Sequence, residues 1–335
     1  MPRNKPTLKQ LEYFVGISET RSYRRAAERL GVSQPTLTTQ MTVLEESLGI
    51  KLFERSRSGI EMTPLGRDLL INARRVLEEV RALTDAADSA SRGPAGTHRM
   101  GVPPTVGPYF LPTVVPELHR RYFALQFYVR ENAPYELETD LLEGRLDLIL
   151  SPLPIGSRDL LVEEIFEEPL NLVVPTDHPF AKQPYIEHSD LRGQKILTLE
   201  ARHHYYRQVH ALCEHFGAHM LRDFEGTSLD TLRQMVNMGM GLAFLPALYI
   251  RSEIHDRRDL TIVELKGESI TRRIALVCRP TSPNRHLYRQ LAAEMRNMVA
   301  SELSDVVEVL GSSNKASPPT GKTASAQLSA TVASK

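Results

Sequence analysis

The stretch RSYRRAAERLGVSQPTLTTQMTVLEESL, residues 21–48, predicts two short helices joined by a tight turn. Gly31 follows the first helix and can adopt the positive φ at which such a helix ends. Ser33 is a favourable N-cap for the second helix, and Pro35 falls in its first turn, where a missing N–H breaks no intrahelical bond. Apolar residues then recur at spacings of four, three and four, which predicts one buried face: Leu37, Met41, Leu44 and Leu48.

The opposite face of the second helix is polar and rich in threonine. Its members are Gln34, Thr36, Thr38, Thr39, Gln40 and Thr42. Four β-branched threonines cost roughly 2 kcal/mol of helix stability relative to alanine, which solubility alone does not require. Glutamine can pair with adenine in the major groove and threonine can contact thymine, so the pattern indicates a DNA-recognition helix. The alternative is an ordinary helical hairpin with a polar outer face.

Two short apolar runs, 50–53 and 60–63, follow the second helix and predict a β-hairpin. Arg55, Arg57 and Gly59 lie between the two runs. Arginines at the tip of such a hairpin can contact phosphates or the minor groove. The hairpin is therefore interpreted as the wing of a DNA-binding domain.

Residues 22–66, SYRRAAERLGVSQPTLTTQMTVLEESLGIKLFERSRSGIEMTPLG, resemble the winged helix-turn-helix of LysR-type transcriptional regulators in both the order and the spacing of residues. The resemblance implies double-stranded operator DNA as a partner. It also implies which residues face the operator: Ser33, Gln34, Pro35, Thr36, Thr39 and Gln40 on the helix, and Arg55 and Arg57 on the wing.

The composition excludes several classes of protein. The 335 residues contain 41 Lys plus Arg and 41 Asp plus Glu, so no global basic charge favours a purely architectural DNA binder. Residues 1–60 nevertheless hold an excess of four positive charges, where DNA binding would need it. No apolar run reaches the ~18 residues of a membrane span, and the N-terminus lacks the apolar core of a signal peptide, so we expect a cytoplasmic protein. Two cysteines form no disulfide framework.

Residues 66–92 predict one long helix with a dimerisation seam. Apolar residues alternate spacings of four and three, as in an a/d heptad pattern: Leu69, Ala73, Val76, Val80, Leu83 and Ala87. A coiled-coil homodimer is the favoured interpretation, and an amphipathic helix packed on its own domain is the alternative. The LysR resemblance further implies a homotetramer.

From residue 98 onward, short apolar runs alternate with helical patterns, which indicates an α/β fold. The predicted strands are 98–102, 125–130, 146–150, 170–174, 196–199, 220–224, 241–244, 260–263 and 273–279. The predicted helices are 109–122, 135–143, 206–216, 229–238 and 285–298. By resemblance, this half is a LysR effector module of two Rossmann-like subdomains, similar to periplasmic-binding proteins, with a ligand cleft between them.

The predicted fold is therefore an N-terminal all-α winged helix-turn-helix with a long linker helix, followed by a C-terminal α/β effector module. The predicted limits are 1–65 for the DNA-binding domain, 66–92 for the linker helix, 97–174 with 270–303 for the first effector subdomain, 175–269 for the second, and 304–335 for a disordered tail. Ser, Ala, Thr and Pro dominate that tail, which is a composition that buries too little apolar surface to fold.

Within the LysR family, the effector half resembles the OxyR-type sensors of hydrogen peroxide. Four motifs carry this resemblance: PPTVGPYFLP (103–112), GRLDLIL (144–150), TSLDTLRQMV (227–236) and GLAFLPAL (241–248). By resemblance, His204 stands where those sensors have the peroxidatic cysteine, and Cys213 is an unpaired residue at the resolving position. Pro134 stands where they have a peroxide-binding threonine, although Thr105 is kept. An imidazole forms no sulfenic acid, so we expect no disulfide switch.

Three interpretations of the histidine-rich stretch ARHHYYRQVHALCEHFG (201–217) stay open. Its histidines are polar residues at a helix start and on a helix surface, or they bind a small-molecule effector, or they hold a metal. The effector site would comprise Thr105, Pro134, His203, His204 and Thr227, with the helix N-terminus favouring an anion. A metal- or oxidant-responsive regulator would use His203, His204 and Cys213, but no compact metal-ligand signature is present.

These observations predict a sequence-specific transcriptional regulator that senses a small molecule in connection with oxidative stress. An enzyme that uses the α/β cleft is the rival class. The sequence has no Gly-rich dinucleotide motif, no P-loop and no nucleophile elbow. We therefore expect no catalytic residues, no metal and no cofactor.

Overall fold

The computed structural model describes residues 5–56, 59–92, 94–221, 228–254, 260–267 and 269–310 of the chain. The N-terminal region consists of three helices and a hairpin. The helices are α1 (Leu8–Thr20), α2 (Tyr23–Leu30) and α3 (Gln34–Leu48). Thr7 and Gln10 form a capping box at the start of α1, so two N–H groups without intrahelical partners are satisfied. Gly31 ends α2 at φ 68°, as the sequence predicts.

The wing is the antiparallel pair β1 (Phe53–Ser56) and β2 (Gly59–Met62). The prediction of a hairpin is confirmed, but β1 begins at Phe53, three residues after the predicted start at residue 50. Residues 50–52 precede the strand because Leu52 is fully buried in the core of the three helices instead of pairing with β2. Leu52 is apolar because it packs on helices, and the periodicity of a sequence cannot distinguish such a residue from one in a buried strand.

One long helix, α4 (Pro64–Arg92), leaves the wing and runs toward the α/β module. Its first turns carry Leu70 and Ala73, which are buried in the same core as α1 and α3. Farther along, Val76, Val80 and Leu83 of the heptad seam are exposed on the single chain. The seam is therefore divided between a part that packs within the chain and a part that is free to contact another surface.

The module after α4 alternates strands and helices. Its strands are β3 (Gly96–Val102), β4 (Leu125–Glu131), β5 (Leu148–Pro152), β6 (Leu161–Pro175), β7 (Ile186–Glu187), β8 (Lys195–Ile196), β9 (His219–Met220), β10 (Ala243–Pro246), β11 (Leu260–Val263), β12 (Leu265–Lys266), β13 (Thr271–Cys278) and β14 (Glu308–Val309). Its helices are α5 (Gly107–Arg121), α6 (Pro134–Leu142), α7 (His204–Phe216), α8 (Leu229–Asn237), α9 (Ala247–Glu253) and α10 (Arg285–Glu302).

An eight-stranded sheet in the order β10-β6-β13-β5-β3-β4 runs through the module, and β11 and β14 also pair with β6. Strand β3 is parallel to β4 and β5, whereas β13 is antiparallel to β5 and β6. Because β6 has 15 residues, it contributes to two separate hydrophobic cores. Phe166 belongs to the core that includes α5 and α10, and Leu170 belongs to the core that includes α7 and α8.

The α/β class and the two-core organisation agree with the predicted fold, while several element limits differ. Strand β6 begins at Leu161, nine residues before the predicted start at 170. The prediction misses the first half of the strand because its many glutamates resemble a loop in composition. These glutamates face arginines across the sheet: Glu164 lies 3.2 Å from Arg273. Such opposite-charge pairs stabilise neighbouring strands. The short helix α9 is absent from the prediction.

Residues 304–310, placed in the predicted disordered tail, instead pack on the module. Val307 is 5 % exposed, and β14 pairs with Phe166 and Glu167 of β6. The remainder of the predicted tail, 311–335, lies outside the described residues, so its expected disorder stays a prediction, as do the domain limits. In the described part of the chain, no helix is both long and apolar enough to cross a membrane.

Candidate DNA interface and effector site

Helix α3 is held against the N-terminal core by one face only. Leu37, Met41 and Leu44 are at most 1 % exposed. Ser33 caps the helix by accepting a hydrogen bond from the backbone N–H of Thr36, 3.2 Å away. The polar face predicted to read DNA therefore points away from the core. Five of its predicted DNA contacts are exposed: Ser33, Gln34, Pro35, Thr36 and Thr39.

The polar side chains of α3 differ in their freedom to contact a base. The hydroxyls of Ser33 and Thr36 lie 2.7 Å apart and form a hydrogen bond with each other. Gln40 is half-buried, and its Oε1 accepts a hydrogen bond of 3.2 Å from Gln10 of α1. Gln34 and Thr39 make no side-chain hydrogen bond with the described residues. These two are consequently the side chains most available for base contacts, whereas Gln10 fixes the orientation of Gln40.

The wing is attached to α3 through Glu45, a residue that periodicity assigns to no role. Glu45 is 8 % exposed. Its Oε1 accepts backbone hydrogen bonds of 2.9 Å from Leu52 and 3.3 Å from Phe53, and Lys51 Nζ lies 2.6 Å from Oε2. This carboxylate therefore fixes where the wing begins relative to the recognition helix. Arg55 belongs to β1 and faces Ile60 in the strand register, and Arg57 lies outside the described residues.

Two charged residues of α4 are buried instead of solvated. Glu78 and Arg74 are each 5 % exposed. Both oxygens of Glu78 accept hydrogen bonds of 2.7 Å from Arg279 Nη2, which follows β13. Arg279 also donates to the carbonyl oxygens of Leu141 and Leu146. A close, buried ion pair thus connects the linker helix with the effector module.

Arg74 lies where the three parts of the chain meet. Its guanidinium is 4.0 Å from Glu19 of α1 and 3.9 Å from Glu143, which follows α6. Burial lowers the pKa of Arg74 to about 10. Its Nε and Nη1 have no hydrogen-bond partner in the described structure. The Arg74 guanidinium therefore lies between the carboxylates of Glu19 and Glu143, which belong to different domains, without a close hydrogen bond to either.

Two of the predicted effector residues, His203 and His204, lie at the start of α7. His203 is the N-cap residue of α7, at a helix start as the first interpretation has it, but it is 4 % exposed and therefore buried. Its Nε2 lies 3.5 Å from Glu200 Oε1, and neither ring nitrogen makes a hydrogen bond with the described residues. Burial lowers the pKa of both His203 and His204. Both rings are therefore biased toward the neutral form.

Two other predicted effector residues lie at the starts of helices: Thr105 is in the turn before α5, and Pro134 is the first residue of α6. Thr105 and Pro134 are buried. Glu136 acts electrostatically on His203, and its Oε2 is a further buried polar atom without a hydrogen-bond partner in the described structure. A carboxylate of α6 thus interacts electrostatically with the imidazole of the N-cap residue of α7, although that ring makes no capping hydrogen bond. The fifth predicted effector residue, Thr227, lies outside the described residues.

Thr105 is held by a buried ion pair that the sequence gives no sign of. Arg272 Nη1 donates to Thr105 Oγ1 at 3.1 Å, and Arg272 Nη2 donates to the Thr105 carbonyl at 2.8 Å. Arg272 is paired with Glu168 at 2.7 Å, and Glu168 accepts a hydrogen bond from the backbone N–H of Leu248. Because Thr105 Oγ1 accepts from Arg272, its hydroxyl proton remains available to a ligand.

The two cysteines lie in different hydrophobic cores. Cys213 packs in the core that includes α7 and α8, and Cys278 packs in the core that includes α5 and α10. Burial raises the pKa of each thiol to about 11. Thiols with such pKa values are mostly protonated near neutral pH and are poor nucleophiles. In the described part of the chain, no cluster of three or more potential ligands could hold a metal ion.

A winged helix-turn-helix joined by one helix to an α/β module with a polar cleft defines a DNA-binding transcriptional regulator. Residues 8–67 match the family model for the bacterial regulatory helix-turn-helix protein of the lysR family, and residues 91–300 match the LysR substrate binding domain. The chain belongs to the LysR family of transcriptional regulators, and the predicted resemblance is confirmed.

Among its relatives, the chain is similar to OxyR proteins over most of its length. It is 37 % identical over 301 residues to the DNA-binding transcriptional dual regulator OxyR of Escherichia coli (strain K12), covering 90 % of this chain and 98 % of that protein. It is 38 % identical over 289 residues to the hydrogen peroxide-inducible genes activator of Pectobacterium carotovorum subsp. carotovorum, covering 86 % and 95 %. A full-length OxyR variant from Pseudomonas aeruginosa matches with 31 % identity and a TM-score of 0.74, covering 88 % and 95 %.

Proposed function

We propose that this regulator binds operator DNA as a dimer and responds to a noncovalently bound effector instead of a thiol–disulfide switch. The relatives named as hydrogen peroxide-inducible genes activators connect the proposal with oxidative stress. The residues proposed to hold the effector are Thr105, Pro134, His203, His204 and Thr227. The residues proposed to contact the operator are Ser33, Gln34, Pro35, Thr36, Thr39 and Gln40 on α3, with Arg55 and Arg57 on the wing.

The observation that carries the proposal is a pair of buried polar side chains, His203 at the start of α7 and Glu136 in α6, that interact electrostatically. His203 offers two ring nitrogens and Glu136 offers one carboxylate oxygen, all buried and without hydrogen bonds to the described residues. Leaving buried polar groups unpaired costs about 1–3 kcal/mol each, so a small polar ligand that satisfies them gains affinity from that cost. The available proton of Thr105 adds a third polar contact.

The cysteines support the noncovalent part of the proposal. A bond between Cys213 and Cys278 would require at least one thiol to leave its own core, and both thiols are mostly protonated near neutral pH. His204, which replaces the peroxidatic cysteine by resemblance, cannot form a mixed sulfur species. A signal at this site therefore acts by stabilising one arrangement of the module over another.

Assembly is proposed from the exposed part of the linker helix. Val76 is 43 % exposed, Val80 is 36 % exposed and Leu83 is 72 % exposed. These side chains continue the a/d spacing of Leu69 and Ala73, so a second α4 would bury them. A dimer would present two recognition helices to a two-fold operator. Further contacts of the effector modules would give the tetramer.

The test combines DNA binding with thiol analysis. The full-length protein should shift a fragment of its own upstream region in a gel, and this shift should persist in Cys213→Ser. After peroxide treatment, mass spectrometry should find both cysteines unbridged. A Cys213–Cys278 bond formed at low peroxide, together with loss of the response in Cys213→Ser, would overturn the noncovalent mechanism.

A further inference from the structure

A cavity of about 760 Å³ opens between α6, the segment after β5 and the first turns of α7. Its volume lies within the roughly 300–1,000 Å³ of small-molecule sites. Of the proposed effector residues, only His204 lines it, while Thr105, Pro134 and His203 do not. The cavity is therefore a second place near α7 where a ligand can contact both sides of the module.

One wall of the cavity is apolar. Leu142 at the end of α6 is 43 % exposed, and Leu153 and Ile155 are half-buried beside it. Tyr135 adds an exposed ring at the edge of this wall. A ligand with a branched aliphatic or aromatic group would remove this surface from water, at about 25 cal/mol for each Å² of apolar surface buried.

Two opposite charges stand on different sides of the cavity and do not pair with each other. Arg207 of α7 is exposed and makes no hydrogen bond or ion pair with the described residues. Glu138 of α6 accepts one backbone hydrogen bond of 2.8 Å from Gly156 through Oε2, which leaves Oε1 available. A guanidinium binds a carboxylate well, and a carboxylate binds an ammonium group.

The His204 ring forms part of the same lining. Burial lowers its pKa, and the ring also interacts with the backbone of Pro154. It is therefore biased toward the neutral form and adds no second positive charge beside Arg207. The fixed charge of the lining is then one cation and one anion, supplied by two different helices.

We propose that this cavity binds a zwitterion of the α-amino-acid class with an apolar side chain. The carboxylate would pair with Arg207, the ammonium group with Glu138, and the side chain would contact Leu142, Leu153 and Ile155. A simple carboxylate would leave Glu138 unpaired, and an amine would leave Arg207 unpaired. The proposal deepens the proposed function, on which it rests, because a ligand held by α6 and α7 together favours one arrangement of these two helices relative to each other.

The test uses the full-length protein and L-leucine as the first probe. Titration calorimetry should give saturable binding of L-leucine, with isocaproate, isoamylamine and glycine each binding at least tenfold more weakly. These three compounds lack the ammonium group, the carboxylate and the apolar side chain, respectively. L-phenylalanine and L-valine define the size that the cavity accepts. If none of the amino acids binds, the proposal is wrong.

Two variants distinguish the contacts. Arg207→Ala should weaken leucine binding at least tenfold, and Glu138→Gln should weaken leucine binding while leaving isocaproate binding unchanged or stronger. The matched control is Arg192→Ala, which removes another exposed arginine outside the cavity and should leave binding unchanged. Equal binding of leucine and isocaproate, or an unaltered affinity in Glu138→Gln, would overturn the zwitterion assignment.

A gel shift on the upstream DNA separates this proposal from the proposed function. Specific DNA binding without any amino-acid binding rejects the cavity ligand and leaves the regulator intact. Leucine binding without specific DNA binding rejects the regulator and leaves the cavity ligand intact. Leucine that binds and changes operator affinity supports both.

Discussion

Removal of the Glu78 carboxylate should destabilise the protein strongly, because it leaves a buried guanidinium without its charged partner. The side chains of Glu78 and Arg279 are 6 % and 9 % exposed, and both carboxylate oxygens lie 2.7 Å from Arg279 Nη2. Glu78→Ala leaves the guanidinium buried with only the carbonyl oxygens of Leu141 and Leu146 as partners. Removing one partner of a buried ion pair costs about 3–5 kcal/mol.

Two related variants refine this magnitude. Glu78→Gln keeps one acceptor but loses a charge-assisted hydrogen bond, so its cost should be about 1.5–3 kcal/mol. In a double-mutant cycle, Glu78→Ala with Arg279→Ala should lose less stability than the two single variants together, because no charge then remains unpaired. The matched control is Glu79→Ala, an exposed carboxylate one position along α4, which should stay within about 0.5 kcal/mol of the parent.

The assay is urea unfolding of the full-length protein, with the free energy of unfolding extrapolated to water. The order of stability should be parent and Glu79→Ala together, then Glu78→Gln, then Glu78→Ala. If Glu78→Ala loses no more stability than Glu79→Ala, the ion pair does not hold the linker helix on the effector module. The reasoning about the interdomain contact would then be refuted.

Three further predictions concern DNA binding, assembly and pH. Gln34→Ala should weaken specific operator binding by about 1–3 kcal/mol and spare binding to random DNA, because it removes a base contact and leaves the phosphate contacts in place. A fluorescence titration that finds equal loss of affinity on both DNAs, or the same loss in the exposed control Gln183→Ala, would contradict the assignment. Val76→Asp should produce monomers in sedimentation, because it puts two charges into the seam; an unchanged sedimentation coefficient would exclude α4 as the interface. Burial lowers the folded-state pKa of His203 and His204 below the ordinary value of about 6.5. Their contribution to stability is therefore complete above pH ~6.5 and is lost as the pH falls through the lowered values, so the urea midpoint should decrease below pH ~6.5. A double His203→Gln/His204→Gln variant should have a flatter pH profile, and an equally steep one would remove these histidines as the cause.

Local signals in the sequence were sufficient for the DNA-binding half. Ser33 and Gly31 predict the limits of α2 and α3 because a cap depends on the residue at one position and on its neighbours. The spacing of Leu37, Met41 and Leu44 predicts the buried face for the same reason. The start of the wing was misplaced because Leu52 packs on helices, a contact that is not local.

The effector half was less predictable because its decisive contacts join residues far apart in the sequence. Arg279 and Glu78 are separated by 201 positions, and Arg272 and Glu168 by 104. Neither pair leaves a periodic signal, and a charged residue on a long helix is usually solvated. Likewise, His203 is buried although it stands in a polar stretch of the sequence, which does not indicate burial.

Helix α6 connects the candidate ligand sites with the DNA-binding domain. Its outer face lines the cavity through Glu138, and its first turn carries Glu136 toward His203. The residue after α6, Glu143, lies 3.9 Å from Arg74 of the linker helix, which is 4.0 Å from Glu19 of α1. Both carboxylates contact another arginine more closely, Glu19 with Arg29 and Glu143 with Arg145. Arg74 can therefore shift toward either carboxylate without leaving the other unpaired. Helix α1 also contacts Gln40 of the recognition helix through Gln10. An effector that displaces α6 would therefore change the contact of Glu143 with Arg74 and, through Glu19 of α1, the support of the recognition helix.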